Sequence, residues 1–296
     1  MGRRTRALTP ALAALLGVLA LPGAHGATSP NGIGRMSVSP TIVSAGSTVG
    51  ELTFTFIADS SPLRGVTTVD VPRGWTFPQR ASSAAPGHVE LRRGTCGRST
   101  RISSIKARRI TIATSCGRRK SYQLLYGKAT APTISADGYI FLARTRSTAG
   151  GRKAKSRPLG RRKQPIVRVR GAAPTALFIG VTSVATIGVP FSVTVRGVDQ
   201  YGNNAYPYAG RAVSLSSTDS HATLPGSYTY VQSDAAQHIF TGVVLRTAGP
   251  RRITATDSGG LTIESAPITV SSATGSAAYR PSAFARSAGT RAHRRS

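Results

Sequence analysis

The sequence predicts an all-β chain that folds as two sheet-built domains in tandem. Apolar residues alternate with polar ones at period two through the central regions, whereas a helix would space them three and four apart. Clusters of Gly, Pro, Asn and Asp, such as DQYGNNAYP and DSGG, separate these runs. Short strands at regular spacing with turn residues between them indicate a sandwich or a barrel. The length of 296 residues is enough for about two such domains.

Alternation is clearest in the run ELTFTFIAD of the first region, where Leu52, Phe54 and Phe56 share one face. The runs SYQLLYG, GYIFLAR and PIVRVR repeat it, and in the last of these Val167 and Val169 are expected to point inward. The second region continues with FSVTVRGVD, AVSLSS, HIFTGVVL, RRITATD and LTIESAPITV. β-Branched and aromatic side chains suit a pleated, half-buried surface, so all of these runs are predicted strands.

The N-terminus has the pattern of a secretory signal peptide over residues 1–26. Three arginines in MGRRTR precede an apolar run from Ala7 to Leu21, and small residues follow, so we expect cleavage after Gly26 or Ala27. The alternative is a short membrane anchor that stays attached, although the run is shorter than a bilayer span. No later segment is apolar enough to cross a membrane, and neither a lipoprotein cysteine nor a C-terminal LPxTG signal is present. We therefore expect a secreted, extracellular chain that is held at the cell envelope, if at all, without a covalent anchor.

The two cysteines, Cys96 and Cys116, are expected to form a disulfide, as is usual for a pair in an exported chain. A loop of this length stabilises a fold by about 3 kcal/mol in the chain-entropy model. The alternative is two free, buried thiols. Neither cysteine belongs to a CxxC motif, so a redox or zinc site has no support.

Charge divides the chain sharply. Residues 27–171 hold 26 lysines and arginines and five acids, a net charge of +21, whereas residues 172–272 hold five of each and are neutral. The tail, residues 273–296, has five arginines and no acid among Ala, Ser and Gly, and cannot bury a core, so we expect it to be disordered. The segment TAGGRKAKSRPLGRRKQP, residues 148–165, lacks apolar periodicity and is predicted to be a mobile loop before the last strand of the first domain. The boundary between the domains is placed at Gly171–Pro174, so the predicted domains are 27–171 and 172–272.

The second region resembles the bacterial immunoglobulin-like modules found in tandem in secreted and cell-surface proteins. The resemblance covers Pro174 to Val270; Asp199, with the YGN that follows it, matches a D-x-Y-G-N turn, and DAAQHIF from Asp234 matches a strand entry. The first region is similar to another immunoglobulin-like module of exported proteins from high-GC Gram-positive bacteria, through MSVSPTIVSAGSTVGELTFTF, VPRGWTFPQ around Trp75, GTC and YGKATAP. The resemblance implies two tandem immunoglobulin-like β-sandwiches with disordered termini, and a role as stalk, spacer or adhesive module.

No catalytic motif is present: GxSxG, HExxH, P-loop and GxGxxG are all absent. His88, His221 and His238 are far apart in sequence, and the acids of the first region are scattered. Asp199 and Asn203 carry oxygen ligands for calcium, but a structural turn explains them better because acids are few nearby. The sequence therefore indicates no enzyme, no cofactor and no metal site.

The basic clusters of the first region are the candidate functional residues. Arginines flank both cysteines, so a disulfide would gather them with the 152–163 segment into one positive surface that attracts polyanions by counterion release. The candidate residues are Arg118, Arg119, Lys120, Arg152, Lys153, Lys155, Arg157, Arg161, Arg162 and Lys163.

Candidate partners of this surface are an anionic cell-envelope polymer (teichoic acid or anionic lipid), a host sulfated glycan or a protein. Nucleic acid is disfavoured because aromatic residues are not interleaved with the arginines. The charge could also arise from a genome-wide bias toward arginine, or serve only to keep the chain soluble. The neutral second region argues against a genome-wide bias, because such a bias would have acted on both regions.

Overall fold

The computed structural model describes residues 31–148 and 154–272, and these are almost entirely β-strands. The predicted signal peptide, the predicted disordered tail and two of the candidate residues, Arg152 and Lys153, lie outside the described residues. No helix in the described part of the chain is long and apolar enough to cross a bilayer.

The first half is built from strands β1 to β12 and one short 3₁₀ helix. These elements are β1 (Arg35–Ser39), β2 (Ile42–Ser44), β3 (Thr48–Ile57), β4 (Leu63–Asp70), β5 (His88–Arg92), β6 (Arg101–Lys106), β7 (Arg109–Cys116), β8 (Ser121–Thr130), β9 (Ala136–Ile140), β10 (Leu142–Ser147), β11 (Arg157–Pro158), η1 (Arg161–Lys163) and β12 (Ile166–Arg170). They form sheets of order β1-β3-β8-β5, β11-β10-β4-β7-β6 and β2-β12-β9.

The second half is built from strands β13 to β22 and a second short 3₁₀ helix. These elements are β13 (Ala176–Gly180), β14 (Val184–Thr186), β15 (Phe191–Val198), β16 (Ala212–Ser217), β17 (Tyr228–Thr229), η2 (Gln232–Asp234), β18 (Gln237–Val243), β19 (Gly249–Arg251), β20 (Ile253–Asp257), β21 (Thr262–Glu264) and β22 (Ile268–Ser271). They form sheets of order β13-β15-β18, β14-β22-β19 and β17-β16-β20-β21.

Both halves share one strand arrangement. In the first, β1 pairs antiparallel with β3, and the next strand, β2, crosses to another sheet and pairs parallel with the last strand, β12. In the second, β13 pairs antiparallel with β15, and β14 pairs parallel with the last strand, β22. Two layered sheets in which the second strand crosses over to pair with the last strand form an immunoglobulin-like sandwich. The protein is therefore two tandem immunoglobulin-like β-sandwiches, as the sequence predicted.

Each sandwich has its own buried cluster of side chains. In the first, Leu52, Phe54 and Phe56 are at most 1% exposed, which confirms the face predicted for ELTFTFIAD. The Phe54 and Trp75 rings lie 4.9 and 5.2 Å from the ring of Phe141, so aromatic side chains from separate strands and turns join the sheets.

The core of the second sandwich follows the predicted alternation of its strand β15. Val193 and Val195 are fully buried, while Phe191 at the start of the strand is only partly covered. The first cluster ends in sequence at Val169 and the second begins at Leu177. The two cores are thus separated by a short stretch of chain.

Two details of the strand prediction were wrong. The run GYIFLAR is not one strand: it divides at Phe141 between β9, which pairs with β12, and β10, which pairs with β4. The segment 148–165 is not loop throughout its described part, because Arg157–Pro158 pairs with β10 and Leu159 is 2% exposed. A single apolar residue in a basic stretch gave no periodicity from which this edge strand could be predicted.

The D-x-Y-G-N turn of the second sandwich also contacts the first. Asp199 accepts hydrogen bonds from the backbone N–H groups of Ala172 and Asn203. The Asn203 side chain donates from Nδ2 to the carbonyl of Thr133 at 2.8 Å and accepts from the N–H of Ser135 at 2.9 Å. A turn that the sequence explained as local therefore braces the junction between the sandwiches.

Candidate anion-binding surface

The disulfide joins the turn after β5 to the end of β7, between Cys96 and Cys116, with the Cα atoms 4.5 Å apart. Thr95 holds the same turn by two hydrogen bonds with Ser121, donating from its N–H and accepting at Oγ1. This pairing confirms the predicted disulfide. It places the arginines of the first cysteine turn against the turn that carries Arg118.

Asp59, which follows β3, gathers basic residues from three distant parts of the chain. Its carboxylate contacts Arg35 at 2.7 Å through Oδ1 and Lys163 at 2.7 Å through Oδ2. Arg35 and Asp59 also line one cleft with Arg118 and Arg119. We call these five residues the Asp59 cluster. Four cations surround one carboxylate, so three positive charges remain uncompensated within it.

A backbone contact fixes the turn that carries the two arginines. The N–H of Arg119 donates to the carbonyl of Ala58 at 2.6 Å, and the N–H of Ala58 donates to the carbonyl of Lys120 at 3.0 Å. Arg119 adopts a left-handed conformation with φ of 58°, which this turn requires. The side chains of Arg118, Arg119 and Lys120 are consequently displayed on an exposed tip.

The other candidate residues from the basic segment are spread over the surface. Lys155 is exposed, and Arg161 and Arg162 are exposed on η1, while Arg157 belongs to the edge strand β11. Among the described residues of this segment, Lys163 is the one shown in contact with Asp59. Among the described residues, the candidate cations are thus distributed over more than one group.

Several arginines that flank the cysteines have internal partners. Arg108 donates from Nη1 to the carbonyls of Pro72 and Trp75, both at 2.8 Å, and its guanidinium lies over the Phe77 ring. Arg109 forms a two-point ion pair with Asp70, and this hydrogen bonding raises the pKa of Arg109. These arginines support the sandwich, and less of the formal charge is free for a ligand than the sequence count indicates.

Sequence reasoning missed a second basic group, on the outer face of the β11-β10-β4-β7-β6 sheet. Arg144 and Arg146 of β10 alternate with the buried residues Ala143 and Thr145, so both arginines lie on the solvent side. They line a groove with Val66, Thr68, Arg109 and Thr111. The alternating pattern of LARTRS could have revealed these arginines, but their strand partners could not be found without the fold.

The carboxylates of the second sandwich are occupied by protein donors. Asp219 accepts from the N–H groups of His221, Arg246 and Thr247 and from the Thr247 hydroxyl. Although burial opposes ionisation, these bonds lower the pKa of Asp219. Asp199 is satisfied in the same way, which supports a turn role over calcium coordination.

Two of the three described histidines are held by their neighbours, whereas the Nδ1 atom of His88 on β5 is buried without a hydrogen-bond partner among the described residues. The ring of His238 stacks on Tyr228 at 3.5 Å, and His221 lies in a turn beside Asp219. Across residues 31–148 and 154–272, no three His, Cys, Asp or Glu side chains are grouped as metal ligands.

No protein-family model and no curated protein sequence matches this chain. Among solved structures it is similar to InvD of Yersinia pseudotuberculosis, with TM-score 0.39 and 13% identity over 81% of this chain and 57% of that one. It is also similar to the adhesin InvE of the same species, with TM-score 0.27 and 11% identity over 82% of this chain and 61% of that one. A bacterial integrin-binding protein, invasin, gives TM-score 0.33 and 11% identity over 82% and 41%.

This chain therefore spans less than two thirds of each of these three proteins. The immunoglobulin-like assignment depends on the strand pairing of the two sandwiches and not on these likenesses.

Proposed function

We propose that this chain is an exported, non-catalytic immunoglobulin-like protein that serves as a structural or adhesive module outside the cell. The observation that carries the proposal is the difference in charge between the two sandwiches. The first displays the Asp59 cluster and a net charge of +21 over residues 27–171, and the second is neutral. Export is supported by the signal-peptide pattern of residues 1–26. A two-domain unit with a fixed junction suits a spacer that presents one surface to a partner.

The chemistry of the described residues supports a role without catalysis. An acid or base catalyst needs a titratable side chain that is free to exchange a proton with a substrate. Asp199 and Asp219 are instead engaged by several donors each, and the His238 ring stacks on Tyr228 and meets Phe240 edge-on. These groups maintain the fold.

A second candidate function is polyanion binding by the first sandwich, and the Asp59 cluster favours it. The three uncompensated cationic charges of the Asp59 cluster attract phosphate or sulfate groups, and release of counterions makes such binding strongly dependent on salt. Candidate partners are an anionic cell-envelope polymer and a host surface glycan. For the adhesive role a protein partner is the alternative.

Cell fractionation tests export and attachment together. We expect the chain to appear outside the membrane without residues 1–26, and to leave the envelope when low-salt washing is followed by high-salt washing. Retention through high salt would instead indicate a protein partner. A chain that stays in the cytoplasm with its N-terminus intact would refute the proposed role.

Retention of the mature chain on dextran sulfate, compared with uncharged dextran, tests polyanion binding. Arg118→Gln with Arg119→Gln removes two charges from the Asp59 cluster, and Arg161→Gln with Arg162→Gln removes two exposed charges elsewhere. We expect the first pair to elute at clearly lower salt than the second. Equal elution of the two variants would exclude the Asp59 cluster as the binding group.

A further inference from the structure

We propose that the outer face of the β11-β10-β4-β7-β6 sheet holds a binding groove for the phosphate or sulfate groups of a linear polyanion, with Arg144, Arg146 and Thr68 as the ligand-contacting residues. This inference rests on the proposed polyanion binding and adds to the Asp59 cluster a second contact site on the same sandwich. The groove is lined by Val66, Thr68, Arg109, Thr111, Arg144 and Arg146.

Strand register places the key residues side by side. Thr68 of β4 lies opposite Arg144 of β10 and opposite Thr111 of β7, and Arg146 lies opposite Val66. Paired strands are about 4.8 Å apart, and successive residues on one face of a strand are about 7 Å apart. Two guanidinium groups and two hydroxyls therefore face one another across a narrow strip of the sheet.

Two donors in this strip are unsatisfied. The Oγ1 atom of Thr68 and the Nε atom of Arg144 are each buried and find no hydrogen-bond partner among the described residues. Leaving a buried donor unpaired costs about 1–3 kcal/mol, so natural proteins keep few such groups and those that persist call for an explanation. Two of them on directly paired residues indicate a common acceptor, and one tetrahedral oxyanion can accept from both.

The charge around the strip selects for an anion. Asp70 is the acid on this face of β4, and both of its oxygens are engaged by Arg109, at 2.6 and 2.9 Å. That ion pair neutralises Arg109, so among the described residues of the groove Arg144 and Arg146 carry the uncompensated charges. Arg64 extends the positive row because it shares the outer face of β4 with Val66 and Thr68 and is exposed.

The shape and composition of the groove favour a linear anionic polymer over nucleic acid. Its described lining contains aliphatic and hydroxyl side chains and no aromatic ring on which a base could stack. Proteins that hold single-stranded nucleic acid combine a positive groove with such rings. The chemistry recognised here is a row of oxyanions, which phosphodiester polymers of a cell envelope and sulfated glycans both provide.

The test measures binding of the mature chain to inorganic polyphosphate and to dextran sulfate by titration calorimetry over a series of salt concentrations. Arg144→Gln with Arg146→Gln is compared with Arg161→Gln and Arg162→Gln, which makes the same change of charge on η1. We expect the groove variant to bind at least tenfold more weakly and the control less than threefold. Loss of two contacts lowers the slope of log K against log salt by about 1.4, at about 0.7 for each contact.

A variant that keeps the net charge distinguishes specific binding in the groove from general electrostatic attraction. Thr68→Val removes only the hydroxyl, keeps the shape and leaves one unpaired donor fewer, so it should fold at least as stably as the parent. We expect it to weaken binding about tenfold to a hundredfold, as a hydrogen bond to a charged group allows. Thr55→Val, at a half-buried threonine of β3 in the other sheet, is the matched control and should bind as the parent does.

The outcomes are distinguishable. A parent chain that binds neither polymer overturns polyanion binding itself. A parent that binds, while the groove variants behave like their controls, overturns only the groove. Tighter binding to an oligothymidylate of equal charge than to either polymer overturns the assigned ligand class. Preference for polyphosphate points to phosphate-bearing polymers as the ligand source, and preference for dextran sulfate points to sulfated glycans.

Discussion

Replacing Asp199 with alanine tests whether the D-x-Y-G-N turn is a structural brace. The Asp199 side chain is buried, at 3% exposure of the residue, and accepts four hydrogen bonds. The donors are the N–H groups of Ala172, Tyr201 and Asn203 and the Asn203 amide. Tyr201 lies in the exposed part of the turn, so water can replace some of these bonds but not all.

The expected loss of folding stability comes from those hydrogen-bond donors that water reaches least after the substitution. With one or two of the four left unpaired, at about 1–3 kcal/mol each, the Asp199→Ala variant should lose about 3 kcal/mol of stability. For a domain of about 100 residues that loss lowers Tm by about 12–24 °C. Scanning calorimetry of the mature chain measures this in the transition of the second sandwich.

Asp137→Ala is the matched control for this substitution. It removes the same charge from a side chain that is 96% exposed and ion-paired with Arg168, and it should change stability by less than about 0.5 kcal/mol. Added calcium should leave the parent Tm unchanged, because protein donors already occupy the Asp199 oxygens. A loss below about 1 kcal/mol in Asp199→Ala, or a calcium-dependent rise in Tm, would refute the brace.

Three further predictions concern the pH response, the disulfide and the junction. Burial opposes ionisation of Asp219, but its hydrogen bonds lower its pKa below the ordinary 3.8. The stability that Asp219 contributes is therefore complete above pH 3.8 and is lost as the pH falls through the folded-state pKa. Calorimetry should show Tm falling below about pH 4, and a pH-independent Tm in that range would contradict this prediction. Cys96→Ser with Cys116→Ser should cost about 3 kcal/mol in urea unfolding of the mature chain, and an unchanged midpoint would show that the cross-link adds nothing. Asn203→Ala should broaden the distance distribution between spin labels on the two sandwiches, whereas a distribution as narrow as the parent's would argue against its bracing role.

The strands were predictable because the alternation of apolar and polar residues that specifies them is a local property of the sequence. Alternation of apolar and polar residues places Leu52, Phe54 and Phe56 on one face whatever the rest of the chain does, and burial of that face drives the sheet to pack. The same rule does not say where one apolar run changes sheets, as at Phe141, because both sides of the break alternate equally well.

The candidate surface was predictable only in part. The charge difference between the halves and the cysteine pair pointed to the first sandwich and to Arg118 and Arg119. Spacing in the sequence could not show that Arg35, Lys163 and Asp59 meet, since 24 and 104 residues separate the two cations from the carboxylate. Nor could it show that Arg108 is engaged by backbone carbonyls.

The sequence by itself determined that this protein is all-β and that it is divided into a basic and a neutral half, and it indicated that the two cysteines pair. Composition and period-two alternation are properties of the sequence itself, so they can be read without knowledge of the fold. Only the tertiary structure decided which cations share a carboxylate, which are neutralised, and which donors on β4 and β10 are left unpaired. Those properties depend on which strands become neighbours, and long-range pairing is set by the packing of the whole sandwich.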